Sequence, residues 1–171
     1  MDLQPFLKNG LVVIRPLSPL DFDSLFEIAS DPLIWEQHQN KNRHSLDQFT
    51  LFFNESLASK AALGIVSIAN GNLIGSSRFK IIDKANGVVE IGWTFLERSY
   101  WGGLYNRTIK KLMINHALKS FNIVVFYVHP KNYRSQRALE KLGALKMKHL
   151  ETPWVLNESK GITYCMDSEL D

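Results

Sequence analysis

Between Val88 and Lys111 the chain passes from an apolar, β-branched run into a turn holding Gly102 and Gly103. It then enters a helix, predicted over 106–119, whose first turns carry Arg107, Lys110 and Lys111 and no acid. A strand, a glycine-containing turn and a helix start aim several main-chain N–H groups at one spot, and such a spot binds phosphate. Cations at the positive end of a helix dipole are unfavourable by roughly 0.3–1 kcal/mol each unless an anion offsets them. This segment therefore predicts an anion cradle at a strand-to-helix turn.

Period and punctuation place the other elements. Leu11 to Leu17 is a strand, and Ser18-Pro19-Leu20-Asp21 starts a helix, with Ser18 as N-cap, Pro19 at the first helical position and Asp21 in the first turn. That helix runs to about Ser30, Asp31-Pro32 restarts a short one carrying Leu33, Ile34 and Trp35, and Ser45 caps a third through Leu57. Strands over 61–69 and 73–82 flank Asn70-Gly71-Asn72, a hairpin signal, and a polar turn leads into the strand 88–96. After the basic helix come a continuously apolar strand over 123–128, a helix over 133–142 ended by Gly143, and strands near 145–150 and 162–168 around a loop with Pro153 and Trp154. The order β-α-α-α-β-β-β-α-β-α-β-β predicts an α/β (α+β) fold with a mixed, mostly antiparallel sheet of six to seven strands flanked by helices. Without an internal repeat or a linker, 1–171 reads as one domain.

Composition narrows the function. Apolar residues make up 45% and charged residues 22%, which excludes disorder. No apolar run approaches the ~18 residues of a membrane span, and Met1 to Gly10 lacks the order of a secretory signal, so a cytoplasmic protein with no membrane partner is expected. Cys165 alternates with Ile162, Tyr164 and Met166 as a strand residue, which predicts a buried inert thiol, and neither a disulfide framework nor a metal site is expected. From Arg98 to Lys148 stand eleven Lys or Arg against Glu140 alone, so this stretch carries +10 and the rest of the chain −7. Such a block is a solvated face or the partner of a polyanion.

Two nucleotide folds fail on their residues. A Walker loop needs a Lys-Ser/Thr pair after its last glycine, and a dinucleotide fingerprint needs three spaced glycines and a later acid. Neither is present. Glu90-Ile91-Gly92-Trp93, Tyr100-Trp101-Gly102, the basic helix, Asn132-x-x-Ser135 and Glu140-Lys141-Leu142-Gly143 together resemble the GNAT superfamily of N-acetyltransferases, and most closely its ribosomal-protein N-terminal acetyltransferase group, the RimJ/RimL type. The resemblance spans about residues 10–168. It departs from the usual glycine pattern at the turn, where Leu104 and Asn106 stand at the positions expected to be small.

The resemblance implies a splay between two central strands and acetyl-coenzyme A as cosubstrate, with no metal. The diphosphate of coenzyme A would lie on the amides of Trp101, Gly102, Gly103, Leu104, Tyr105 and Asn106, with Asn106 capping the helix and Arg107 nearby. Pantetheine would pair with Trp93, Thr94, Phe95 and Leu96, Gly92 would supply a bulge, and Asn132 would bond the arm. Lys110, Lys111, Lys131 or Arg134 would meet the 3′-phosphate.

Acetyl transfer needs a base for the amine and an acid for the departing thiolate. Glu90, on the side of its strand shared with Gly92 and Thr94, is the candidate base, and Ser135 the candidate acid, since Leu139 stands where many relatives place a tyrosine. Trp35, His38 and Trp154 lie in loops that shape the acceptor pocket in this family. The expected acceptor is a small-molecule or peptide amine, and monomer and homodimer both remain open. A coenzyme A-binding domain without turnover, or a nucleic-acid module using the basic stretch, are the alternatives; nucleic acid is the less favoured partner.

Overall fold

The computed structural model describes residues 1–148, 152–156 and 161–167. Among these residues eight strands form one sheet in the order β1-β2-β3-β4-β5-β6-β8-β7. They are β1 (Leu7–Lys8), β2 (Val12–Pro16), β3 (Ala62–Ser67), β4 (Leu73–Asp83), β5 (Val88–Leu96), β6 (Ile123–Val128), β7 (Leu145–Lys146) and β8 (Ile162–Asp167). Every neighbouring pair is antiparallel except β5 and β6. Six to seven strands were expected. The additional one, β1, is a two-residue strand, too short to leave a period of 2 in the sequence.

Among the described residues four helices flank the sheet: α1 (Phe22–Ala29), α2 (Leu46–Ala58), α3 (Leu104–Ala117) and α4 (Tyr133–Glu140). α3 and α4 cover one face. Ile109, Met113, Ile114 and Leu139 pack there on Val12, Ile14, Leu63, Ile65, Val89, Ile91 and Phe126. α1 and α2 cover the other with an aromatic cluster of Phe22, Phe26, Phe49, Phe52, Phe53, Trp35 and Phe95, whose ring centroids lie 5.1–6.2 Å apart in the contacting pairs. Such pairs add about 0.5–1.5 kcal/mol each beyond buried area.

The start of α1 is built as the sequence indicates. A single 3-10 turn, Pro19–Asp21, precedes it; Ser18 Oγ accepts from Leu20 N at 3.2 Å, and Asp21 Oδ2 accepts from Ser18 N at 2.8 Å. Arg15 reaches both oxygens of Asp21, at 2.7 and 2.8 Å. Elsewhere the boundaries differ. Asp31 caps only a 3-10 turn, Pro32–Ile34. Ser45 precedes α2, but its hydroxyl donates backwards to Asn42 O and caps nothing. The helix over 133–142 ends at Glu140, with Gly143 beyond it at φ +91. β7 stops at Lys146, whereas a strand to 150 was expected; residues 149 and 150, and Ser168 at the expected end of β8, lie outside the described residues. Cys165 is buried, burial raises its pKa, and its Sγ lies 3.1 Å from Met147 Sδ. Among the described residues no helix is long and apolar enough to cross a membrane.

Candidate active site

The one parallel pairing among the described residues is short. β5 and β6 pair at Val88–Ile123, Val89–Val124 and Glu90–Val125, and there the ladder ends, although β5 runs on to Leu96 and β6 to Val128. Beyond Glu90 the strands part, as the resemblance implies, and the edge of β5 facing β6 is left without a partner strand. A bulge sits in this free half. Ser76 faces Phe95 and Arg78 faces Gly92, so Trp93 and Thr94 together oppose Ser77. The residue with positive φ is Trp93 (φ +53), not Gly92, the residue that the sequence suggests for the bulge. A bulky residue there stores about 1–3 kcal/mol of strain, and the Arg78 guanidinium, 3.6 Å above the indole, holds it in place.

Gly92 has a different task. A Cβ at that position would come within 2.6 Å of Glu90 Oε1, so the glycine makes room for the carboxylate. Val89 and Ile91 pack toward α3, which turns Glu90 and Gly92 to the opposite face. The bulge then reverses the alternation: Thr94, expected on the side of Glu90, instead bonds Lys110 of α3 and Ser77, each at 2.7 Å. Glu90 is 7% exposed, and burial pushes its pKa up to about 7 against the opposing pull of Lys80, Arg78 and Lys110. Among the described residues it has no hydrogen bond or ion pair, so its proton is free to exchange with a ligand.

At the other end of β5 the chain turns through Arg98–Tyr100 into α3. Gly102 takes φ +70, Gly103 is the N-cap, and no side chain caps this helix. Asn106, expected as cap, lies inside the first turn, because Leu104 already begins the helix. The amides of 102–106 find no acceptor in the described protein, nothing lies within 4 Å of a Cβ placed on Gly102 or Gly103, and Leu104 is 65% exposed and leaves the turn open. The indole N–H of Trp101 donates to Leu96 O at 2.9 Å and ties the turn to the strand end.

A cavity of about 920 Å³ joins these parts. Its walls come from 91–96 of β5, 101–104, 106 and 107 at the helix start, 126–129 of β6, and 132–135 with Leu139 on α4. Ser135 is on this wall, and Asn132 caps α4 by accepting from Ser135 N at 3.1 Å, while its NH₂ has no partner among the described residues. Arg134 stacks on Trp101 at 3.7 Å and donates to Ile34 O, so its guanidinium is already engaged. Tyr105 and Glu90 are off the wall: the Tyr105 ring packs on Tyr100, and Glu90 stands beside Gly92, which is on it.

Three basic assignments change. Lys110 is not at the surface; it is buried against Thr94 and the Phe126 ring inside the cavity. The spacing 109/110, 113/114, 117 of buried positions on α3 carried that signal. Lys111 and Lys131 are exposed and off the wall, while Arg107, Arg137 and Lys141 line it. Arg137 and Lys141 become neighbours of the cradle only through α4, which no local pattern reveals.

Toward the α1 and α2 face, Trp35 is a core residue, 2% exposed, with its indole N–H on Ala29 O, yet it reaches the cavity as His38 does. Burial brings His38 down to about 4, so its imidazole is neutral. Trp154 is off the wall; it packs with Val125 and Tyr127, and its carbonyl accepts from Tyr127 OH at 2.7 Å. Tyr127, Arg78 and Lys80 had no sequence signal beyond strand periodicity. Glu90 pairs across the sheet with Lys80, and Arg78 with Gly92. Among the described residues no three His, Cys, Asp or Glu side chains gather as metal ligands.

Comparison with known proteins adds to this geometry. Residues 12–145 match the family model described as an acetyltransferase (GNAT) domain. No curated protein matches the sequence. Among solved structures, a probable GNAT-family acetyltransferase from Chromobacterium violaceum is 18% identical with TM-score 0.80, over 96% of this chain and 86% of that one. A GCN5-related N-acetyltransferase from Brucella melitensis is 19% identical with TM-score 0.78, over 95% and 77%. A spermidine N-acetyltransferase from Vibrio cholerae, in complex with CoA and spermine, is 15% identical with TM-score 0.70, over 95% and 98%.

Proposed function

With most of its length matched by that model, the chain belongs to the GNAT acetyltransferase family, and we propose that it is a single-domain cytoplasmic N-acetyltransferase of the RimJ/RimL type, passing acetyl from acetyl-coenzyme A directly to a primary amine in a ternary complex. One observation carries the reading. The β5–β6 ladder ends at Glu90, and the free strand edge beyond it leads to the open amides of 102–106.

The residues fit the cosubstrate. Five unpartnered amides at an uncapped helix start suit a diphosphate, and the unpaired edge over 93–96 suits an amide-bearing arm that adds as a strand. Coenzyme A supplies a thioester-activated acetyl group. Arg107, Arg137 and Lys141 would face its remaining phosphate, and the free NH₂ of Asn132 would bond the arm. Glu90 would take the proton of the incoming amine; with its pKa raised to about 7, it is matched to an α-amine of pKa ≈ 7.7–8.0. The oxyanion would meet a backbone N–H at Trp93 or Thr94, and Ser135 would return a proton to sulfur.

On the acceptor side, Lys80 and Arg78 flank Glu90, an arrangement that disfavours a polycation such as the spermine bound by the Vibrio cholerae protein. A protein N-terminal α-amine or a small monoamine fits better. Free thiol released from acetyl-coenzyme A in the presence of peptides with free N-termini, amino acids and polyamines tests this. Release with the α-amines is expected; thermal stabilisation by acetyl-coenzyme A without release for any amine would reduce the protein to a coenzyme A-binding domain.

A further inference from the structure

We infer that Lys110 is itself an acetyl acceptor, a self-acetylation site on the floor of the crevice between β5 and β6. The inference rests on the acetyl-coenzyme A reading above and adds a modification of the enzyme by its own donor. The place of the amine is its main support. Lys110 projects from α3 into the gap left where β5 and β6 part, with Nζ 2.7 Å from Thr94 Oγ1 on one strand and 5.3 Å from the Phe126 ring centroid on the other. Lys110, Thr94 and Phe126 all line the cavity, and Thr94 belongs to the strand edge against which the thioester arm is expected to lie. No carboxylate pairs with Lys110 among the described residues.

An ordinary lysine, with pKa ≈ 10.4, is neutral to less than about one part in a thousand at pH 7 and is a poor nucleophile. Lys110 is 7% exposed, and burial lowers its pKa to about 7, with Glu90 pulling weakly the other way. A large share of its amine is therefore neutral near pH 7, inside the space meant for an acetyl donor. Nζ forms a C–N bond to the acetyl carbon, the thioester C–S bond breaks with its electron pair leaving on sulfur, and the proton lost from Nζ goes to the thiolate. The products are a neutral amide and a free thiol. The amide N–H retains Thr94 Oγ1 as acceptor, whose own hydroxyl lies 2.7 Å from Ser77 Oγ. Acetylation also removes a buried charge, which is unfavourable where it stands.

Peptide mass spectrometry of the purified wild-type protein tests this. One sample is incubated with acetyl-coenzyme A and another with S-acetyl-N-acetylcysteamine, a thioester without the nucleotide. The expected result is an acetyl group on Lys110 in both, gained about tenfold faster than on the exposed Lys111 of the same helix, with only the slow labelling at Lys111 left in Lys110→Met. Labelling by the small thioester alone would support the reactive lysine while overturning the coenzyme A reading. Lys110 left unmodified by both reagents, while Lys111 is labelled, would overturn the inference.

Discussion

Two helices of this protein start in the same way, directly after a strand and a short turn, and they are finished differently. α1 follows β2 through Ser18 and Asp21, whose side chains satisfy the turn and whose charge is neutralised by Arg15. α3 follows β5 through Gly102 and Gly103, has no side-chain cap, and carries Arg107 at its positive end. The 3-10 turn that leads into α1 is closed by the chain's own groups, whereas the amides at the start of α3 find no acceptor among the described residues. The same contrast recurs in the buried charges, since Asp21 has its arginine whereas Glu90 and Lys110 are buried without an ion-pair partner among the described residues. Lys110 and the open amides line one crevice, with Glu90 beside its wall at Gly92, and each half of the contrast can be tested.

The largest expected effect is at Glu90. Glu90→Gln keeps the shape and removes the base, so turnover should fall by about 10²–10⁴-fold while acetyl-coenzyme A affinity, read by calorimetry, stays unchanged. The same substitution should stabilise the fold. With a folded pKa of about 7 above the ordinary 4.5, the carboxylate penalty is absent below about pH 4.5, grows as pH rises toward 7 and is complete above it. The gain, on the order of 3 kcal/mol for a shift of this size, should therefore be seen in urea unfolding at pH 8 and vanish near pH 4. A variant that loses activity and stability together would mark Glu90 as structural. Next comes the closed helix start. Asp21→Ala removes one cap and strands Arg15, which should lower stability by about 2–3 kcal/mol in denaturant unfolding with no change in cofactor affinity.

What the sequence makes legible follows this division. The closed start of α1 can be read from Ser18-Pro19-Leu20-Asp21, because every partner lies within a few residues. The meander β3 to β5 is likewise local, and so is the turn at Gly102 and Gly103. The bulge is not, since it arises from how β4 registers on β5, and one residue of slip sends Thr94 to the opposite face from Glu90. Asn106 is not the cap for a related reason: with two glycines ahead of it the helix begins earlier, and Leu104 takes the first position at the surface, where a large apolar side chain gives no signal of its place. Lys110 was legible only by preferring helical spacing to the habit of lysine for the surface.

The smaller effects separate strain from chemistry at the open helix start. Gly102 holds φ +70, so Gly102→Ala should lower stability by about 1–2 kcal/mol and weaken acetyl-coenzyme A about tenfold as the turn shifts. Gly103 differs, because its φ of −113 suits any residue and nothing lies within 4 Å of a new Cβ. Gly103→Asp would supply what the turn lacks, a carboxylate accepting from the amide of Tyr105 or Asn106 and an anion facing the helix dipole. Without ligand it should stabilise the protein by about 0.5–1 kcal/mol. With ligand the same carboxylate occupies the amides a diphosphate needs and repels it, so affinity for acetyl-coenzyme A should drop severalfold. A stability gain paired with an affinity loss is the signature of a helix end left uncapped for a ligand; a gain with unchanged affinity would mean that the diphosphate binds elsewhere and that the two helix starts differ for no functional reason.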